Sequence, residues 1–154
     1  MKKSLVLVFA AFALVGCGNG AGQKTTKTVC AIDKPYKVYS SAKQTITSEG
    51  DIAKKIDFEG ILKASDKESL EAALPQLDAA VTTVNALEGV SARYEKVDDI
   101  TLKDIASYDL EKASLQTLIQ LGLLESTDDE NAKLISVEQS VKGLEDQGFT
   151  CSVE

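Results

Sequence analysis

Apolar side chains recur along this chain with two different periods, and each change of period marks a new element. Val29–Ile32 and Tyr36–Thr47 are rich in β-branched and aromatic residues and read as strands, with Pro35 interrupting them. Ser48–Asp51 (S-E-G-D) supplies the turn residues of a hairpin. Ile52, Ile56, Phe58 and Leu62 then fall on even positions with Lys55, Asp57, Glu59 and Ile61 between them, largely the period of two of a half-buried strand. From Leu70 the spacing lengthens. Leu70, Leu74, Leu77, Val81 and Val84 step by four, three, four and three, which lays one apolar stripe along a helix. Ser65 with Glu68 forms an S-x-x-E capping box at its start, and Gly89 supplies a stop. Pro75 falls in mid-stripe, where it removes a backbone hydrogen bond, so a kink or two abutting helices are expected there.

Alternation returns over Val90–Val97, turns at Asp98-Asp99 and resumes from Ile100 to Leu110, a second hairpin. Leu115, Leu118, Ile119 and Leu121 make a short helix closed by Gly122, and Glu125–Asn131 is a polar loop. Ser136 with Gln139 forms another capping box, Val137, Val141 and Leu144 face inward, and Gly148 ends this helix before a last strand over Phe149–Val153. Hairpins segregated from helices, without β-α-β alternation, predict an α+β fold. The expected architecture is an antiparallel sheet of two hairpins plus terminal strands, with one long helix and two shorter ones packed on one face.

The first sixteen residues follow a third pattern. Lys2 and Lys3 precede an apolar run, Ser4–Val15, that is too short to span a bilayer and has the layout of an export signal. Leu14, Val15, Gly16 and Cys17 resemble the lipobox of bacterial lipoproteins. That resemblance implies cleavage before Cys17, diacylglycerol on its thiol and, often, a further acyl chain such as palmitate on the new amine; two chains make a stable anchor. Gly18 follows the cysteine in place of an aspartate, which favours the outer membrane, on its periplasmic side, in a cell with two membranes. Gly18–Thr28 is dense in Gly and Thr and reads as a flexible tether. The expected organisation is a signal peptide over 1–16, a lipidated tether over 17–28 and a single domain over 29–154.

Composition and charge narrow the picture further. The 154-residue chain has 44% hydrophobic and 27% charged residues, ordinary for a globular protein, but only 5% aromatics. Its core therefore rests on Leu, Ile, Val and Ala. Loss of residues 1–16 removes Lys2 and Lys3 and takes the formal net charge from -7 to -9. Such a domain repels phosphate backbones, which disfavours nucleic acid as a partner. With Cys17 assigned to lipid, Cys30 and Cys151 remain at opposite ends of the domain. In an exported protein a disulfide is the simplest expectation for them, and it places the first and last strands side by side. The alternative, free or metal-binding thiols, finds no histidine in the chain to complete a ligand set.

Several stretches together resemble the YehR-like family of small bacterial lipoproteins, which have no assigned activity. They are the lipobox, Thr45–Asp51, Ala86–Tyr94, Tyr108–Leu118 and the C-terminal Ile135–Phe149, in the order expected. The resemblance implies an α+β lipoprotein fold and carries over no catalytic or ligand-binding residue. The Cys30 and Cys151 pair departs from that pattern.

Candidate chemistry is sparse. Without histidine, neither a Ser-His-Asp triad nor a Cys-His pair is possible. The glycine-rich stretch Gly16–Gly22 sits at the lipid site rather than between a strand and a helix, so it is no phosphate loop. Asp98-Asp99 and Asp128-Asp129-Glu130 lack the alternating ligand spacing of a calcium loop and read as solvated turns. Asp109 and Glu111 are the carboxylates singled out for acid–base work, with a strand-end or capping role as the competing reading. No catalytic residue, metal or cofactor is assigned. The expected function is a non-catalytic binding or interaction module held at the membrane through lipid on Cys17, its partner an envelope protein or a small ligand. A structural envelope lipoprotein and a carboxylate-dependent hydrolase are the alternatives.

Overall fold

A computed structural model describes residues 24–124, 129 and 134–154. Residues 1–16, Cys17, most of the tether and all of the polar loop over 125–131 except Asp129 lie outside the described residues. The described residues form β1 (Thr25–Ile32), β2 (Ser41–Glu49), β3 (Ile52–Lys63), α1 (Lys67–Asn85), β4 (Val90–Lys96), β5 (Thr101–Asp109), α2 (Leu115–Gln120), α3 (Val137–Asp146) and β6 (Thr150–Val153). The strands make one antiparallel sheet in the order β4-β5-β3-β2-β1-β6. The α+β architecture expected from the two periods is the one observed.

Registers set the two faces of this sheet. Cys151, Cys30, Gln44, Phe58, Ala106 and Ala92 lie in one row across all six strands and point toward the helices. The opposite face is wet. There Glu59 takes Lys43 at 3.3 Å and Lys103 at 3.0 Å, and Lys55 pairs with Asp57 at 2.8 Å. One buried and one solvated face is the ordinary condition of an antiparallel sheet.

The core forms where α2 and α3 cover β1–β3: Cys30, Ile32, Ile46, Ile56, Leu118, Leu144 and Phe149 are all buried together. The hairpin turn between β2 and β3 also holds the start of α3. Ser136 Oγ donates to Asp51 Oδ2 at 2.7 Å, Glu138 N–H donates to Asp51 Oδ1 at 2.8 Å, and Ser136 Oγ in turn accepts from Gln139 N–H at 3.2 Å. The capping serine expected from the sequence is therefore in place, itself braced from the turn.

α1 is covered differently. Leu70 is buried, but Leu74, Leu77, Val81 and Val84 remain partly exposed, because this helix lies over the β4 edge rather than over the core. Two side chains clamp it there. Asn85 Nδ2 donates to the carbonyl of Ala92 at 2.9 Å while its Oδ1 accepts from Ala92 N–H at 2.6 Å, and Tyr94 OH donates to Asp78 Oδ1 at 2.6 Å. The amide of Asn85 thus satisfies edge-strand backbone groups that would otherwise face another chain.

The main departures from the sequence reading lie at β1, β2 and α1. β1 begins at Thr25, so Thr25–Thr28, counted above with the tether, are strand; they pair with Ile46–Glu49, and β-branched threonines suit that role. β2 begins at Ser41 rather than Tyr36, because Tyr36–Tyr39 closes on itself through two reciprocal 2.9 Å backbone hydrogen bonds. The N-cap of α1 is Asp66, whose carboxylate accepts from Ser69 N–H at 2.7 Å, one residue past the expected Ser65. α1 runs through Pro75 as one helix. Pro75 and Glu71, whose carbonyl loses its helical donor, are both exposed, so solvent reaches the gap.

Candidate functional site: an aromatic groove over the sheet

Because α1 sits over one edge and α2 with α3 over the other half, no helix among the described residues covers the middle of the inner sheet face. A groove of about 610 Å³ runs there. Its floor is Gln44, Ile46, Ile56, Phe58, Ala106 and Tyr108, one wall is α3 with Leu144, and the rim is the Tyr36–Tyr39 turn. It continues under α1 as an apolar pocket of about 180 Å³ lined by Leu77, Val81, Val84 and Tyr94. Asp104, Ala106, Tyr108 and Leu121 border both.

The rim turn is built under strain. Lys37 has φ 52°, a left-handed conformation that favours glycine, and it is followed by Val38, which is 73% exposed. This tight turn carries Tyr36 and Tyr39 from the β1–β2 connection back over the sheet. The Tyr36 ring meets Phe149 edge-on at 4.9 Å, its hydroxyl donates to Gln147 Oε1 at 3.1 Å, and Lys37 Nζ lies 5.3 Å from its centroid. The Tyr39 ring meets Phe58 edge-on at 5.1 Å and lies flat on Gly60, where a Cβ would come within 2.4 Å of it. Only glycine leaves room for that ring.

Where the groove meets the pocket under α1 stands Asp104. It lies between Gly60 of β3 and Tyr94 of β4 in the sheet register, so a tyrosine borders it on each side: Tyr39 over Gly60, and Tyr94 across the strand pair. Tyr39 OH donates to Asp104 Oδ2 at 2.6 Å. Among the described residues no lysine or arginine comes within 4 Å of this carboxylate. Burial, and then the hydrogen bond to Asp104, push the Tyr39 hydroxyl far above its ordinary range. Burial, with the Asp104 charge second, also raises Tyr108. Both phenols therefore remain neutral donors at neutral pH. All four tyrosines of the chain border the groove or its extension.

The residues singled out from sequence fall elsewhere. Cys30 and Cys151 face each other in register on β1 and β6 and are joined as a disulfide, with Cα atoms 4.0 Å apart. Asp109 closes the turn after β5: its Oδ1 accepts from Glu111 and Lys112 N–H, each at 3.2 Å, and its Oδ2 pairs with Lys112 Nζ at 2.8 Å. Glu111 pairs with Lys54 at 3.0 Å. Asp98 caps its turn through Ile100 N–H at 2.8 Å, and Asp99 pairs with Lys96 at 3.2 Å. Of the second acidic run, Asp128 and Glu130 lie outside the described residues. The groove residues escaped the sequence reading, although one signal was present. Asp104 shares the even-numbered phase of Leu102, Ala106, Tyr108 and Leu110, a carboxylate on the inward face of its strand.

A second trough, about 650 Å³, lies between α3 and the β1–β6 edge. Thr26, Thr28, Val141 and Val153 line it, without an aromatic side chain, and its one aspartate, Asp51, is committed to holding α3. The aromatic groove is the better-built site.

No protein-family model matches the chain, and no curated protein does. Solved structures do resemble it. A protein from Streptococcus pneumoniae TIGR4 aligns with a TM-score of 0.61 at 16% identity, over 99% of this chain and 98% of its own. The Escherichia coli YehR protein aligns with a TM-score of 0.60 at 18% identity, over 85% of this chain and 92% of its own. At these identities the likeness is one of fold, and the fold of this chain is YehR-like.

Proposed function

We propose that the chain is a membrane-anchored, extracytoplasmic binding module without catalytic activity, whose ligand occupies the aromatic groove. The groove carries this reading: about 610 Å³ lies within the usual range for small-molecule sites, and its aromatic and aliphatic side chains stand among convergent polar groups. The strained Lys37 turn at its rim supports it, since strain of this kind concentrates at ligand clamps. The non-catalytic part draws support from the absence of histidine and from Asp109 and Glu111, each committed to a lysine. The anchor rests on the lipobox-like Leu14–Cys17, with lipid on Cys17 and residues 1–16 removed. In a two-membrane cell this reading puts the domain at the periplasmic side of the outer membrane.

Native mass spectrometry of the full chain purified from bacterial membranes tests both parts. The expected result is a polypeptide beginning at Cys17 with added lipid mass, together with a co-purifying small molecule. That molecule is lost in Gln44→Trp, which projects a bulky ring from the groove floor. An empty groove, with crosslinks from its residues to an envelope protein, would replace the small ligand by a protein partner. Full-length, unlipidated chain would remove the anchor.

A further inference from the structure

The binding reading leaves open what kind of molecule the groove takes, and Asp104 narrows it. Elsewhere on the sheet, carboxylates are matched by cations: Glu59 by Lys43 and Lys103, Asp57 by Lys55. Those pairs occupy the wet face. Asp104 instead points into the groove, receives one hydroxyl from Tyr39 and has no cationic partner among the described residues. A carboxylate bordered by aromatic rings is the arrangement that recognises organic cations, through charge and through the negative faces of the rings. The rim already shows this preference, with Lys37 Nζ over the Tyr36 ring. Past Asp104 the groove narrows into the apolar pocket under α1, walled by Leu77, Val81 and Val84.

Resting on the binding reading above, we infer that the groove selects an organic ammonium with an apolar tail. The ammonium sits at Asp104 between Tyr39 and Tyr94, and the tail lies under α1 against Val81 and Val84. The negative charge of the chain adds a long-range attraction for such a ligand. Asp104 and the tyrosines supply recognition only; no covalent step is involved.

Four probes separate the contributions: 4-phenylbutyltrimethylammonium, the neutral 4-phenylbutanol, the anionic 4-phenylbutyrate and the tailless tetramethylammonium. Each is titrated calorimetrically into the full chain in zwitterionic lipid nanodiscs, with empty nanodiscs as the blank. The tailed cation is expected to bind about tenfold more tightly than the alcohol and more tightly than tetramethylammonium, with the carboxylate weakest. Asp104→Asn keeps the shape and an acceptor for Tyr39. It is expected to bring the cation down to the affinity of the alcohol while leaving the alcohol unchanged, which also reports an intact groove. Equal binding of cation and alcohol by the wild type would overturn the cation preference while leaving a groove that binds small molecules. An equal loss of both in Asp104→Asn would overturn it too, as would the absence of binding by every probe. The mass-spectrometric experiment decides the underlying binding reading separately.

Discussion

The hydroxyl of Tyr39 donates to Asp104 across 65 positions of sequence, at 2.6 Å, with its ring lying on Gly60. One contact thereby joins the β1–β2 connection to β5 through the bare backbone of β3. The relationship ties the rim of the groove to its acid, and each partner is exposed to a simple perturbation.

Gly60→Ala places a methyl group where the Tyr39 ring now lies. The ring must move, and the hydrogen bond to Asp104 moves with it. Overpacking of this kind costs about 1–3 kcal/mol, read as a lower urea midpoint at unchanged slope. NMR spectra of the variant should show the Tyr39 and Phe58 ring signals displaced, with those of Ile32 and Leu118 unchanged.

Lys37→Gly acts in the opposite direction. Its φ of 52° is uncomfortable for any side chain with a Cβ, and glycine relieves it. A gain of about 1 kcal/mol in urea stability is expected. If the strain serves the groove, the same variant should bind the ligand more weakly despite its greater stability, a divergence that denaturation and calorimetry on one sample would detect.

The disulfide between Cys30 and Cys151 closes a sequence separation of 121 residues. Its removal by Cys30→Ala with Cys151→Ala should cost about 2–5 kcal/mol. The comparison is chemical denaturation of the oxidised wild type against the double variant. Amide exchange should rise first in β6, whose four residues pair only with β1.

Acid should unfold the domain through a defined set of carboxylates. Hydrogen bonds hold five of them below their ordinary range: Asp51 by Ser136, Glu59 by Lys103, Asp66 by Ser69, Asp98 by Ile100 and Asp109 by Lys112. A carboxylate lowered in the folded state stabilises it fully above its unfolded pKa, near 4. That contribution is lost as pH falls from there through the folded value. Stability should accordingly be level from neutral pH down to about 5 and fall below about 4. Asp51→Ala should flatten this acid limb and raise amide exchange at Glu138 and Gln139, while exchange in β3 and β5 stays as in the wild type.

Much of the fold was legible because it is written locally. Period two named β3, β4 and β5, period 3.6 named α1 and α3, and Ser136 announced its own cap. The errors share a cause. Thr25–Thr28 resemble a linker in composition, but pairing with β2 makes them strand. Tyr36–Tyr39 resembles the start of a strand, because a lysine at φ 52° leaves none of the usual glycine or asparagine signature of such a turn. The groove was harder still. It exists because α1 is clamped to the edge by Asn85 and Tyr94, and because Tyr39 finds Gly60 free. Those relationships appear only once the strands are in register. Asp104 left one signal that went unread, an acid in the inward phase of its strand.

The direction of β1 also fixes how the domain presents itself. The chain comes in at Thr25 and leaves at Glu154, whose N–H donates to the carbonyl of Lys27, so both ends of the domain share one pole. Eight residues later, about 26 Å away along an extended strand, β1 delivers the connection that folds into the Tyr36–Tyr39 turn. Suspended by its N-terminal segment, as the anchored reading has it, the domain would hold the Tyr36–Tyr39 rim of the groove far from the lipid, within reach of whatever passes through the surrounding solvent.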